Sequence, residues 1–248
     1  MNKTTFIGDV HGRTIWKDIV QKENDSDRFI FIGDYFDSLT IPGIEQIANF
    51  KNIIEFKKTS NKEVILLIGN HDHHYLVEES YSGYQPHLRW DIENILRENL
   101  TSLQVVYKFS DILCSHAGIS PVWLDNHLPG WKRINMVEDI NDLYRYRNKE
   151  FNFSHTGYDP YGDHPTQGPL WIRPRSLMAS NKGDDGLKKH YIQVVGHTQQ
   201  ENIFKSFVYT QKKRGGKYYL IDTLETKGYL TYEKDKNLFT PKTLDATS

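Results

Sequence analysis

The stretch Thr5-Phe6-Ile7-Gly8-Asp9-Val10-His11-Gly12 decides how the rest of the chain is read. Its apolar run is short and unbroken, as in a strand buried on both faces. A glycine ends the run, and two metal-capable side chains, Asp9 and His11, follow at once.

The same unit recurs along the chain. Arg28-Phe29-Ile30-Phe31-Ile32 runs into Gly33, Asp34 and Asp37, and Val64-Ile65-Leu66-Leu67-Ile68 runs into Gly69, Asn70, His71 and Asp72. Ile112-Leu113-Cys114 leads to Ser115 and His116, and Tyr191-Ile192-Gln193-Val194-Val195 leads to Gly196 and His197. Between the first three runs the pattern turns helical. Thr14 to Gln21 offers Ile15, Trp16, Ile19 and Val20 as one apolar face. Gly43 to Lys58 offers Ile44, Ile47, Ala48, Ile54 and Phe56, with Lys57 and Lys58 near its C-terminal end, where cations suit the helix dipole. This βαβαβ series predicts parallel strands with right-handed crossovers and an α/β fold.

Further on, Leu88 to Asn99 reads as a helix and Leu103 to Tyr107 as a strand. Strands near 204–210 and 217–222, joined across Lys213 to Gly216, read as a hairpin. Residues 148–176, rich in Gly, Pro, Tyr, His and Asn, predict a long loop lining the mouth of an active site. One domain is expected over residues 1–240, with a frayed tail at 241–248.

The 248 residues suffice for a sizeable core, and 13% aromatic content argues against disorder over most of the chain. A net charge of -1 gives no global field toward nucleic acid or an anionic membrane. The Lys212-Lys213-Arg214 cluster reads as a solvated turn. The single cysteine, Cys114, excludes an intrachain disulfide and a cysteine-based zinc site, and sits in an apolar run as a small buried hydrophobe. No apolar segment resembles a leader or a membrane span, so a cytoplasmic protein is expected.

A lone Gly-Asp pair is ordinarily a turn, and a lone buried histidine ordinarily satisfies a hydrogen bond. His73 and His74 are read in that way, as supporting or surface residues. Five such units in order, each at a strand end, have no comparable structural explanation. Ligands of open α/β sheets bind outside the carboxyl ends of strands. The carboxylates, imidazoles and one amide gathered there form a mixed oxygen and nitrogen set suited to Mn²⁺, Fe or Zn²⁺.

The order Gly-Asp-Val-His-Gly, Gly-Asp-x-x-Asp, Gly-Asn-His-Asp, His-Ala-Gly and Gly-His-Thr resembles the calcineurin-like metallophosphoesterase superfamily. Within it the phosphoprotein phosphatase branch is nearest, with its small bacterial and bacteriophage protein phosphatases and diadenosine tetraphosphate hydrolases. Ile221-Asp222-Thr223, followed by Gly228, is similar to a stretch that branch carries after Gly-His-Thr. The resemblance spans residues 5 to about 230.

It implies a four-layer β-sandwich flanked by helices (αββα), with two divalent metal ions at the rim where the strands end, Mn²⁺ being the metal expected first. It implies Asp9 and His11 on the first metal, Asp34 bridging, and Asn70, His116 and His197 on the second. It implies a metal-bridging hydroxide attacking phosphorus, with His71 as general acid and Asp37 orienting its imidazole. Elementary chemistry agrees. A bridging ligand must be an anion, and a leaving alkoxide needs a proton from a group that titrates near neutrality.

Two positions depart from the branch. Ser38 stands where it carries a phosphate-gripping arginine after Gly-Asp-x-x-Asp, and Asp72 where it usually has Glu. Arg173, in a segment that resembles its Trp-x-Arg, is then the expected phosphate clamp, with Arg175 as runner-up and Asn70 also facing substrate. The expected activity is a phosphomonoesterase acting on a phosphoprotein or small phosphoester. The alternatives are a hydrolase of nucleotide or nucleic-acid end phosphates, with 144–171 aromatics stacking on bases, and a non-catalytic scaffold.

Overall fold

Alternation along the apolar runs divides their side chains between two cores. The computed structural model describes residues 1–133, 135–155, 159–180, 187, 191–200 and 218–244. In it β1 (Lys3–Ile7), β2 (Arg28–Phe31) and β3 (Glu63–Leu67) lie side by side and parallel, Phe6 opposite Ile30 and Ile30 opposite Ile65. Phe6, Ile30, Ile65 and Leu67 face one way, into a core shared with a second sheet. Ile7, Phe29, Phe31, Val64 and Leu66 face the other, onto helices.

Those helices are α1 (Trp16–Lys22) and α2 (Gly43–Thr59), close to the expected bounds. The face of α2 differs. Ile44 is exposed and Ala48 lies on the solvent side, while Phe50, Ile53 and Ile54 are buried together with Gln46 and Asn49. The inner face carries these two amides because it must also hold the backbone of neighbouring loops. Two helices follow β3: α3 (Asn70–Val77) and α4 (Arg89–Glu98), the latter preceded by a 3₁₀ turn at Pro86–Leu88.

The strand expected at Leu103 to Tyr107 is two strands in two sheets. β4 (Leu103–Gln104) continues the first sheet beside β3, and β5 (Val106–Phe109) opens the second by pairing antiparallel with β6 (Ile112–Ser115). α5 (Pro121–His127), α6 (Met136–Arg147) and α7 (Pro174–Ser180) come next, then β7 (Ile192–Val195) and β8 (Tyr218–Leu220), parallel to each other and to β6. Ile112, Cys114, Ile192, Val194, Tyr219 and Ile221 supply this sheet's half of the shared core.

The chain then returns to the first sheet. β9 (Gly228–Glu233) pairs antiparallel with β1, and β10 (Leu238–Thr243) pairs with β9 at the edge, where Pro241 costs no ladder bond to a further strand. Pro241 to Thr243, assigned to the tail on sequence alone, therefore pair in register with Leu230 to Gly228. The sheet orders are β10-β9-β1-β2-β3-β4 and β5-β6-β7-β8. Two face-to-face sheets with helices outside them are the expected α/β sandwich. The expected strand at 204–210, the turn at 213–216, Lys212, Tyr158 and residues 245–248 lie outside the described residues. No helix among the described residues is long and apolar enough to cross a membrane.

Candidate functional site

β1, β2, β3, β6, β7 and β8 end at the same rim, and the segments after them carry the site. Gly69 and Gly196 explain the close convergence: a Cβ on Gly69 would collide with Asp34 Oδ1, and one on Gly196 with Asp9 Oδ1. His11, Asp34, Asp37 and His197 all hold positive φ, between 42° and 65°. Left-handed backbone at four non-glycine residues of one rim is strain held by the surrounding fold.

Asp9, Asp34 and His116 are buried, with one ligand atom of each within 4.8 Å of the others. Asp9 Oδ2 accepts the His197 amide at 2.9 Å, while Asp9 Oδ1 is buried without a hydrogen-bond partner among the described residues. Burial pushes the Asp9 carboxyl well up, and the Asp222 and Asp34 carboxylates push it further. Burial also works against Asp34, but the His116, His71 and His11 imidazoles outweigh it and hold Asp34 well below the usual range.

The imidazoles are oriented from behind. His11 Nδ1 donates to Phe36 O at 2.6 Å, and His116 Nδ1 donates to Ile32 O at 2.9 Å. In those tautomers each Nε2 presents a lone pair to the site. His11 Nε2 lies 3.6 Å and His116 Nε2 3.3 Å from Asp34 Oδ2. His197 Nε2 donates to Trp171 O at 3.1 Å, which turns the Nδ1 lone pair inward, 2.8 Å from Asn70 Oδ1. Asn70 Oδ1 is also 2.8 Å from His116 Nε2. Oxygen and nitrogen lone pairs thus converge, each ring fixed by a carbonyl, as metal-bound histidines are. Burial keeps the His11 and His197 rings below the ordinary imidazole range, on the neutral side that metal binding requires. This donor set fits divalent metal ions. All six residues expected as ligands are brought together.

Beside it stands a second group, Asp37, His71 and His74. Asp37 Oδ2 lies 2.9 Å from His71 Nδ1 and 2.7 Å from His74 Nε2, and Asp37 Oδ1 accepts the Tyr75 hydroxyl at 2.6 Å. Burial would lower the His71 imidazole, but Asp34 and Asp37 outweigh it and raise it to about 9. With Nδ1 turned to Asp37, Nε2 is the atom His71 offers outward. His71 and His11, their rings 5.2 Å apart, line a cleft of about 410 Å³ with Arg13, Ser38, Gly83 and Asp222.

Arg173 lies beside the site with its guanidinium engaged. Nε donates to Tyr161 O, and Nη1 donates to His197 O and Thr198 Oγ1, each at 3.1 Å. Arg175 is exposed on α7 and does not line the cleft. Segment 148–176 supplies Trp171 O to His197, but none of its described residues lines the cleft, which is walled instead by residues 37–40 and 82–83. Of its aromatics and those just before it, Tyr144, Phe151 and Trp171 are buried in the core, whereas Tyr146 and Tyr161 are exposed. His73 is also buried, between Tyr144 Oη and Asn152 Oδ1.

Sequence reasoning placed His74 among supporting or surface residues and missed Tyr75, Arg13 and Asp222 as site residues. His74 lies three residues after His71, a spacing that brings two side chains to one helix face. Asp222 follows β8 as Asp9, Asp34 and Asn70 follow their strands.

A two-sheet α/β sandwich with carboxylates and imidazoles at its strand ends is an arrangement suited to divalent metal ions. The chain belongs to the calcineurin-like phosphoesterase family, whose profile matches residues 3–201. No curated protein matches it closely enough in sequence to count as a relative. Among solved structures it is similar to a cold-active protein-tyrosine phosphatase of the psychrophile Shewanella sp., at TM-score 0.65 and 20% identity, over 100% of this chain and 79% of that one. It is also similar to a protein serine/threonine phosphatase from Saccharomyces cerevisiae with similarity to human phosphatase PP5, at TM-score 0.57 and 14% identity, over 100% and 81%. At these identities the likeness establishes the fold.

Proposed function

We propose that the protein is a two-metal phosphomonoester hydrolase acting on phosphoproteins or small phosphoesters. Asp9 and His11 would hold one divalent ion, Asn70, His116 and His197 the other, with Asp34 shared, and Mn²⁺ is the first candidate. Such ions supply an activated water and positive charge against the phosphoryl oxygens. The chain's own residues do the rest. His71 gives the proton on Nε2 to the departing alkoxide oxygen, and Asp37 holds the ring from Nδ1. His74 and Tyr75 hold Asp37 in turn. Arg173 ties the His197 backbone to the 161 loop.

The observation that carries this reading is the Asp37–His71 pair, set in the same cleft as His11 and next to the buried Asp9–Asp34–His116 cluster. A metal cluster alone could be structural, whereas a carboxylate-held imidazole beside it is the arrangement of an acid catalyst.

The test is phosphate release from para-nitrophenyl phosphate and from an alkyl phosphomonoester by metal-stripped protein with Mn²⁺ restored. His71→Asn is expected to lower turnover of the alkyl ester by about 10²–10⁴-fold. The loss should be smaller on the nitrophenyl ester, whose leaving group needs less help from an acid. Absence of Mn²⁺-dependent release from both esters, or an unaffected His71→Asn, would remove the reading.

A further inference from the structure

We propose that Arg13 is the residue that grips the phosphoryl group in this cleft, its guanidinium fork reaching phosphate from the turn directly after His11. The inference rests on the phosphoesterase reading of the cleft and adds to it the recognition of the transferred group.

Residues 10–13 form a tight turn. Arg13 N donates to Val10 O at 2.9 Å, and Gly12 takes φ +73 where a side chain would strain the backbone. Asn49 Nδ2 donates to Arg13 O at 3.1 Å, and Asn49 is buried and itself held by Trp16 Nε1 at 2.9 Å. The Arg13 backbone is therefore anchored to α1 and α2, two residues after a candidate metal ligand. Its side chain joins the cleft wall with His11 and His71.

Among the described residues that line the cleft, Arg13 is the one arginine or lysine. Neither of two other positions expected to carry a phosphate clamp, 38 and 173, offers a free guanidinium fork. Ser38, where an arginine would stand in the related branch, accepts the Thr40 and Ile41 amides on Oγ and so caps its own loop. Arg173 spends Nε and Nη1 on two carbonyls and a hydroxyl. Arg13 instead has a loose partner: Nη2 lies 3.5 Å from Glu225 Oε2, a carboxylate that is 57% exposed. An ion pair of that length at the surface is worth little and exchanges readily for a better anion. A phosphomonoester offers two oxygens spaced for the parallel N–H donors of a guanidinium, and carries the charge to go with them. Glu225 holds the fork over the cleft until such a group arrives.

Two measurements on the Mn²⁺-loaded 248-residue protein test this. Inorganic phosphate is titrated calorimetrically into wild type, Arg13→Ala and Arg13→Lys, and the KM for para-nitrophenyl phosphate is measured for each. Arg13→Ala is expected to weaken phosphate binding by about 10–100-fold, the loss of charge-assisted bonds, with KM rising in parallel. Arg13→Lys keeps the charge without the fork and should bind about 3-fold or more weaker than wild type. Phosphate binding by Arg13→Ala equal to wild type, or none by wild type itself, overturns the proposal. If Arg13→Ala does not fold, Arg13→Lys decides, and binding equal to wild type overturns the fork. Arg13-dependent phosphate binding in a protein that hydrolyses neither ester would support the clamp while removing the proposed activity.

Discussion

Asp72 accepts three backbone amides on one carboxylate: Gly69 N at 2.8 Å, Asp34 N at 2.9 Å and Tyr35 N at 2.8 Å. It thereby ties the segment after β2 to the start of α3, and with it Asp34 to His71, whose amide donates to Asp34 Oδ1 at 2.9 Å. Asp34 sits at φ +51, a conformation that costs about 1–2 kcal/mol for a residue with a side chain. The bonds to Asp72 help offset that cost. Asp72→Ala would leave buried amides unpaired at about 1–3 kcal/mol each. The expected result is a loss of several kcal/mol in denaturant unfolding, with weaker metal binding by whatever folded protein remains. Asp72→Asn keeps an acceptor oxygen and should lose less. Equal stability of wild type and Asp72→Ala would show that the two segments are held by something else.

The elements show what a sequence reveals and what it withholds. Strand ends carrying Asp9, Asp34, Asn70, His116 and His197 were legible because each signal is local, an apolar run, then a small residue, then a side chain able to bind metal. The inner face of α2 was not, because it buries amides: Gln46 accepts Ser38 N and donates to Ile41 O, and Asn49 holds Arg13 and Trp16. Nor was the break between β4 and β5. The chain leaves one sheet for the other at Val105, and the freed backbone groups find Asn141 on α6. Asn141 Oδ1 accepts Val105 N at 2.9 Å and Val106 N at 3.1 Å, while Nδ2 donates to Val106 O at 2.9 Å. A partner 35 and 36 residues away leaves no mark in the local pattern. Asn141→Ala should destabilise the protein by about 1–3 kcal/mol for the unpaired buried groups. Amide hydrogen exchange should show Val105 and Val106 losing protection ahead of β1. Unchanged protection at those two amides would mean that the switch between sheets does not depend on α6.

At the scale of the whole molecule, the question is what joins the returning C-terminal hairpin to the N-terminal βαβ unit. Ladder bonds between β9 and β1 do part of this, packing of Leu230 and Tyr232 beside Phe6 adds to it, and Glu23 makes the polar tie. Glu23 caps the end of α1 and is 2% exposed. Its carboxylate meets Lys3 of β1 at 2.7 Å, Lys242 of β10 at 2.8 Å and the Tyr229 hydroxyl of β9 at 2.7 Å. Four elements, one of them 219 residues away in sequence, close on one anion. Burial pushes the Glu23 carboxyl up, but bonds from Lys242, Lys3 and Tyr229 outweigh it and hold its pKa below the ordinary 4.5. A carboxyl whose folded pKa is depressed contributes stability that is fully present above its unfolded pKa and is lost as pH falls through the folded one. Glu23→Gln should therefore cost about 1–3 kcal/mol at neutral pH, where it leaves the Lys242 ammonium without its carboxylate and Lys3 with Asp25 alone. The gap between wild type and variant should narrow as pH drops below the ordinary 4.5, because wild type then surrenders the same interaction. Thermal unfolding of both proteins across that range measures it. A gap that stays constant down through the acid limb would mean that Glu23 holds the hairpin by shape and neutral hydrogen bonds, and that the charge contributes nothing.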